Sequence, residues 1–243
     1  MIADLKRLWQ EAFGDTEEAL NAFFATAFSP NRCNYILEND VPVSALYWFD
    51  CRLDGQKLAY IYAVATLETH RGRGLARKLM ENTHAILKEK GYAGAILVPG
   101  NEKLFAFYKK MGYCVATKTE EFSAVATASP VGIHEIQPTE YAAYRRKYLP
   151  DGGILQEQET LSYLATYGKF YKGEDFLLSA TKEGDNLLVH EILGNTDYCG
   201  NILCALNCKT GRFRTVGTTR DFTMLLPLTA DCPAPSYFGL ALD

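Results

Sequence analysis

Three observations predict a mixed α/β (α+β) fold. Helical and strand periodicities alternate over the first 125 or so residues. Successive strand-like runs are separated by Asn39-Asp40 and by a stretch containing Asp54-Gly55, residue types that tight hairpin turns favour. A strand ending near Thr66 then passes through a short basic, glycine-containing turn directly into an amphipathic helix.

The elements follow in order. In LKRLWQEAF, Leu5, Leu8, Trp9, Ala12 and Phe13 recur at helical spacing, and Gly14 stands where a helix stops. A second helix starts at Asp15 or Thr16 with acids in its first turn and carries Leu20, Phe23, Phe24 and Ala27 on one stripe. CNYILEN, VPVSALYWF and KLAYIYAVAT read as an antiparallel meander of three strands. From Gly74 to Lys90, Leu75, Leu79, Ile86 and Leu87 make an amphipathic helix that Gly91 ends, and GAILV is a short buried strand behind it. KLFAFYKKMG is a further helix and YCVATKTEEF a further strand.

The stretch SAVATASPVGI reads as a joint between a first domain, residues 1–125, and a second, residues 131–243. In the second part PTEYAAYRRKYL and QEQETLSYLATYG are helical by composition. DFLLSA, NLLVHEIL, FRTVG, DFTMLLPL and SYFGLALD look like strands, with CGNILCALNC a helix among them. That order loosely repeats the first half, with no repeat at the level of residues.

The composition excludes several classes. Of 243 residues, 25 are basic and 29 acidic, a net charge of −4, so no global positive field gathers a phosphate backbone and nucleic acid is not an expected partner. No apolar run is long enough for a membrane span, and charges stand where a signal peptide has its apolar region, so a cytoplasmic protein is expected. The seven scattered cysteines contain no CxxC pair. Cys199, Cys204 and Cys208 read as buried thiols, and no metal is expected. Trp9 is expected in the core, while Phe23, Phe24 and Phe28 suit either the core or the wall of an acceptor pocket.

The chemistry lies in THRGRGLARKLM. Gly72 and Gly74 let backbone amides approach an anion without Cβ obstruction, the helix start adds partial positive charge, and Arg71 and Arg73 add permanent charge. Residues 71–90 hold six basic against two acidic residues inside an acidic protein, which marks a local anion site. The spacing matches neither GxGxxG followed by an acid about 20 residues on nor a GK[ST] phosphate loop.

RGRGLA resembles the R/Q-x-x-G-x-G/A signature of the GNAT superfamily of acyl-CoA-dependent N-acetyltransferases, and FYKKMGY is similar to that family's next helix and strand. The resemblance covers residues 1 to about 125, and THRGRGLARKLM is especially similar to the Eis-like branch. Members of that branch append a second, degenerate GNAT-like region, which suits residues 131–243 and would complete the acceptor site. They usually end in a sterol-carrier-like domain, for which this chain is too short.

The resemblance implies acetyl-CoA as co-substrate and a primary amine, on a small molecule or a peptide, as acceptor. It implies that Val64, Ala65 and Thr66 meet the pantetheine arm through backbone groups and that Arg71, Gly72, Arg73, Gly74, Leu75 and Ala76 wrap the pyrophosphate. KLAYIYAVAT and GAILV would splay to admit the arm. Asn101 is a further cofactor candidate or a helix cap. Tyr108 matches the family's general acid and is otherwise an aromatic of its helix's buried side. The base that deprotonates the amine is not identified by the residues: Glu38 is one candidate, and the Eis-like resemblance suggests the C-terminal carboxylate on Asp243. His70, His84, His134 and His190 form no catalytic constellation in the sequence. The alternative is a non-catalytic acyl-CoA-binding or interaction protein of the same fold. Acceptor identity and oligomeric state are not encoded in any motif.

Overall fold

A computed structural model describes residues 1–242, so the expectation for Asp243 lies outside the described residues. Contacts divide the chain into two compact units. The first is Met1–Cys114 with Met224–Pro233, and the second is Val115–Thr223 with the residues from Ala234 on. The sequence suggests a joint at SAVATASPVGI, but the contacts divide the chain earlier. That stretch begins inside a strand, and residues 224–233 return to the first unit.

In the first unit, helices α1 (Ile2–Phe13) and α2 (Glu17–Thr26) precede strands β1 (Cys33–Glu38), β2 (Val41–Leu53) and β3 (Gln56–Thr66). Gly14 takes φ +75 and returns its N–H to Gln10, while the Thr16 hydroxyl accepts from the Ala19 N–H, so both predicted boundaries have a physical cause. The two hairpin turns each need consecutive positive φ values, supplied by Asn39 and Asp40 and by Asp54 and Gly55. Helix α3 (Leu75–Glu89) buries Leu79, Met80, Thr83 and Leu87. It ends where Gly91 (φ +75) and Tyr92 turn their N–H groups back to Lys88 and Leu87. Strand β4 (Gly94–Leu97) then lies parallel to β3, helix α4 (Glu102–Lys109) follows, and Met224–Pro227 pair antiparallel with β4.

Trp9 and Phe23 are core. The Trp9 ring lies 4.6 Å from Phe23, 5.1 Å from Tyr47 and 5.5 Å from Tyr62, and its indole N–H donates to Asp15. Phe24 and Phe28 are only partly buried against this cluster.

The second unit contains β5 (Cys114–Val125), β6 (His134–Ile136), α5 (Pro138–Tyr148), β7 (Leu155–Gln156), α6 (Glu159–Leu164), β8 (Lys169–Lys172), β9 (Phe176–Glu183), β10 (Asn186–Gly194), α7 (Cys199–Ala205), β11 (Thr210–Val216) and the start of β12 (Arg220–Pro227). Its strands β5, β11, β10, β9, β8 and β6 neighbour one another in that order. Two helices, an antiparallel β8-β9-β10 meander, helix α7 and a parallel β10-β11 pair repeat α1, α2, β1-β2-β3, α3 and the parallel β3-β4 pair. The repeated order seen in the sequence is thus also a repeated pairing pattern.

Three readings of the second half are corrected. The described part of SYFGLALD, residues 236–242, is not a strand: Tyr237 makes one isolated bridge to Gly153, and Tyr237, Phe238, Leu240, Ala241 and Leu242 are buried in coil. Packing hides its apolar residues, and the Gln156 side chain bonds the Leu240 backbone at both its N–H and its C=O, in place of a strand partner. The helix expected over QEQETLSYLATYG spans only Glu159–Leu164. KFYK and HEI, not singled out in the sequence, are strands β8 and β6.

Cys199 and Cys208 belong to a buried apolar cluster with Ile202, Leu203 and Phe213. Among the described residues no group of His, Cys, Asp and Glu could hold a metal ion, and no helix is long and apolar enough to cross a membrane.

His84 on α3 is half-buried beside the fully buried Tyr113, with Nε2 2.8 Å from the phenol oxygen, and burial pushes the imidazole pKa down to about 4. The unfolded chain therefore binds a proton, below its ordinary value of about 6.5, that the native protein refuses. The stability this histidine contributes is complete above that value and is lost as the pH falls toward 4. Urea midpoints at pH 7.5 and pH 5.0 should show a smaller pH penalty in His84→Gln than in the natural chain. Equal penalties would contradict the assignment.

Candidate functional site

In the first unit, strand β3 runs on past the strand that pairs it. Strands β3 and β4 pair only over Leu58–Gly94, Ala59–Ala95 and Tyr60–Ile96. Beyond Tyr60, β3 runs on to Thr66 with no strand beside it on the β4 side. Over the same stretch β3 carries a bulge against β2: Tyr62 opposes Tyr47 and Ala65 opposes Ala45, so Ala63 and Val64 together face Leu46. Ala63 takes φ +49, a left-handed conformation that costs a non-glycine residue roughly 1 kcal/mol or more. The strand also changes character here, from the buried run Leu58–Ile61 to half-exposed Tyr62, Ala63 and Val64.

The chain then makes a single 3₁₀ turn, Glu68–His70, and enters the glycine turn. Gly72 (φ +76) and Gly74 (φ +73) both take left-handed conformations, and a Cβ added to either would meet no protein atom within 4 Å. The positive φ demands glycine, and the open space is what an approaching ligand needs. Gly74 is also the N-cap of the 15-residue α3 and offers no side chain to cap it. Among the described residues no acceptor takes the N–H groups of Gly72 to Arg77, and the first bond of the helix is Lys78 N–H to Gly74. Uncapped amides at a helix start, with the positive end of its dipole, form an anion site.

The residues expected to act here are not equally placed. Arg71 lies over the strand end, its Nε donating to the Thr66 carbonyl at 3.2 Å. Arg73 instead makes a bidentate pair with Glu38, at 3.2 and 2.6 Å. His70 Nε2 stands 3.3 Å from the same carboxylate. Glu38, one of the candidate bases, is therefore engaged from two sides. Ser44 Oγ donates to the Ala65 carbonyl and shares a 2.9 Å contact with Thr66 Oγ1, which pins the end of β3 to β2.

Asn101 caps α4, its side-chain oxygen accepting from the Leu104 N–H at 3.2 Å. Tyr108, on the buried side of α4, is 7% exposed and packs edge-on to Phe107 and Tyr113. Its hydroxyl has no hydrogen-bond partner among the described residues, and burial pushes its pKa up to about 12. The bulge at Ala63 and the Glu38–Arg73 pair were missed in the sequence. Alanine carries no left-handed signal, and the pair joins residues 35 positions apart.

The second unit has the same order of elements without this opening. Past Val189–Phe213, the last paired residues of β10 and β11, Thr215 Oγ1 still bridges to the Ile192 carbonyl at 2.8 Å. Glu191 is fully buried on Arg145, at 2.7 and 2.9 Å, and accepts a hydrogen bond from Tyr141. Gly239 presses on it so closely that a Cβ could not fit. The turn after β10 has Asn195, Thr196 and Asp197 in place of arginines, and Gly194 is closed in by the Asp175 carbonyl.

Residues 1–116 match the family model of the acetyltransferase (GNAT) domain. This part of the chain is a GNAT domain. No curated protein sequence matches the chain significantly.

Solved structures extend the likeness past the GNAT domain. A GCN5-related N-acetyltransferase from Kribbella flavida aligns with 95% of this chain and 70% of its own, with TM-score 0.72 and 17% identity. Eis1 from Mycobacterium abscessus aligns over 95% and 73%, with TM-score 0.66 and 13% identity. A tandem GNAT protein from the clavulanic acid biosynthesis pathway aligns over 95% of both chains, with TM-score 0.58 and 11% identity. At these identities the likeness is one of fold, and it spans both halves.

Proteins of the GNAT family use acetyl-CoA as co-substrate, and its diphosphate is an anion. Arg71→Ala combined with Arg73→Ala should weaken acetyl-CoA binding about tenfold or more in calorimetry while leaving the thermal midpoint nearly unchanged. Unchanged affinity would contradict the placement of the diphosphate at this turn.

Proposed function

We propose that this protein is an acyl-CoA-dependent N-acetyltransferase that moves an acetyl group from acetyl-CoA directly to a primary amine. One observation carries the reading. A strand that loses its neighbour after Tyr60 leads, through two left-handed glycines, into the uncapped start of α3. That combination supplies a backbone edge for an extended arm and a nest of amides for its diphosphate. The fold shared with Eis1 supports placing the chain in the Eis-like branch.

Acetyl-CoA supplies an activated thioester when bound; the protein's residues supply the rest. Leu67 donates its N–H to the Val43 carbonyl of β2, so by strand alternation the Thr66 N–H faces the open side of β3, and our reading gives it the carbonyl oxygen that gains charge, an effect worth a few kcal/mol in a dry site. Tyr108 is the proton donor to the departing sulfur. Its raised pKa keeps the phenol protonated through the physiological range. The amine, with an ordinary pKa of about 10.4, is only about one part in 2,500 neutral at pH 7, so acceptor binding has to favour the neutral form. His84 is unsuited to take that proton because it is half-buried against Tyr113.

A second reading, a non-catalytic acyl-CoA-binding protein, is favoured by one observation: Glu38 is already held by Arg73 and His70. Thiol release from acetyl-CoA with a panel of primary amines separates the two. Turnover in the natural chain, reduced about 100-fold by Tyr108→Phe with acetyl-CoA affinity retained, is the expected result. Tight binding with no release on any amine would overturn the catalytic reading, and full activity in Tyr108→Phe would overturn the role of Tyr108.

A further inference from the structure

Glu38 ends β1, beside the Asn39-Asp40 turn and opposite Val41 of β2. From there its carboxylate reaches the glycine turn. Arg73 Nη2 donates to Oε1 at 2.6 Å and Arg73 Nη1 to Oε2 at 3.2 Å, while His70 Nε2 stands 3.3 Å from Oε2. A carboxylate beside an anion site opposes the anion by like-charge repulsion, and this one also occupies a cation of the site.

The two arginines of the turn are therefore in different states. Arg71 donates through Nε to a neutral group, the Thr66 carbonyl. Arg73 gives both terminal nitrogens, the end of the side chain that reaches farthest from the backbone, to a charged one. Two parallel N–H···O bonds from one guanidinium are also the geometry in which arginine takes a phosphate group. Glu38 stands where a phosphate would stand on Arg73.

The pair is open to exchange. Arg73 is 51% exposed and Glu38 34%, and an ion pair at such a surface is favoured only a few-fold over its open form. A diphosphate carries more charge than a carboxylate and can also take the N–H groups of Gly72 to Arg77, none of which donates to Glu38 among the described residues. His70 stays against Glu38 when Arg73 leaves, so the carboxylate keeps a neighbour after the exchange.

We propose that Arg73 is held by two anions in turn, Glu38 in the free protein and the diphosphate of the acyl donor in the complex. Glu38 thereby keeps the donor site in a lower-affinity state that the donor itself opens. The inference rests on the acyl-CoA reading, and it assigns Glu38 to the donor site and not to the amine.

Calorimetric titration with acetyl-CoA tests it on four whole chains: the natural one, Glu38→Gln, Arg73→Ala and the double variant. Apparent affinity falls with the fraction of free molecules in which Arg73 is open, so Glu38→Gln should bind acetyl-CoA about three- to fivefold more tightly than the natural chain. Its thermal midpoint should be nearly unchanged. In the Arg73→Ala background the same substitution should alter affinity by less than about twofold, because no guanidinium is left to release. Affinity unchanged or weakened in Glu38→Gln, or an equal gain with and without Arg73, as repulsion alone would give, overturns the proposal and leaves the donor reading standing. Acetyl-CoA binding by none of the four chains overturns the donor reading and the exchange with it.

Discussion

The first unit depends on a shortage of hydrogen-bond partners. Backbone N–H and C=O groups are nearly always satisfied in a folded protein, and a strand that sheds its neighbour or a helix that starts without a cap leaves them to water or to a ligand. Here both happen in one stretch of chain. Strand β3 continues past its last pairing with β4, and α3 begins at a glycine that has no side chain to offer. The left-handed conformation at Ala63 adds local strain that the surrounding hairpin has to hold, and the Ser44 contacts to the end of β3 fix it in place. The uncapped helix start and the open strand edge are two outcomes of the same backbone arrangement, supported by the β2-β3 hairpin on one side and the buried face of α3 on the other.

The comparison with the second unit shows how the same order of elements loses that property. Its parallel strand pair stays bridged by Thr215, and Glu191, just past a register shift of β10 against β9, is buried with Arg145 and Tyr141. Removing one member of such a buried group costs several kcal/mol, because the remaining charge has no water to turn to. The stretch that serves the first unit as an opening serves the second as core.

Much of this was legible in the sequence wherever local chemistry demands one residue type. Asn39-Asp40, Asp54-Gly55, Gly91 and the pair Gly72 and Gly74 all occupy left-handed conformations; the first three are legible from the turn or cap they make, and the pair from the unobstructed approach it gives backbone amides to an anion. Helix faces were legible because the apolar positions of α1 and α3 recur at the helical period. Features set by distant partners were not. Nothing near Ala63 signals a bulge, and Glu38 finds Arg73 across 35 residues. SYFGLALD misled because burial can come from packing in coil as well as from a sheet, and the strands in KFYK and HEI are too short for periodicity to register.

The central claim is that the donor's diphosphate takes up the amides the fold leaves unsatisfied between Gly72 and Arg77. A crystal structure of the whole chain grown with acetyl-CoA tests it most directly. The account predicts diphosphate oxygens within about 3 Å of several of those nitrogens, with the pantetheine arm running along β3 beyond Tyr60. Acetyl-CoA bound elsewhere, with these amides still facing solvent, would contradict it.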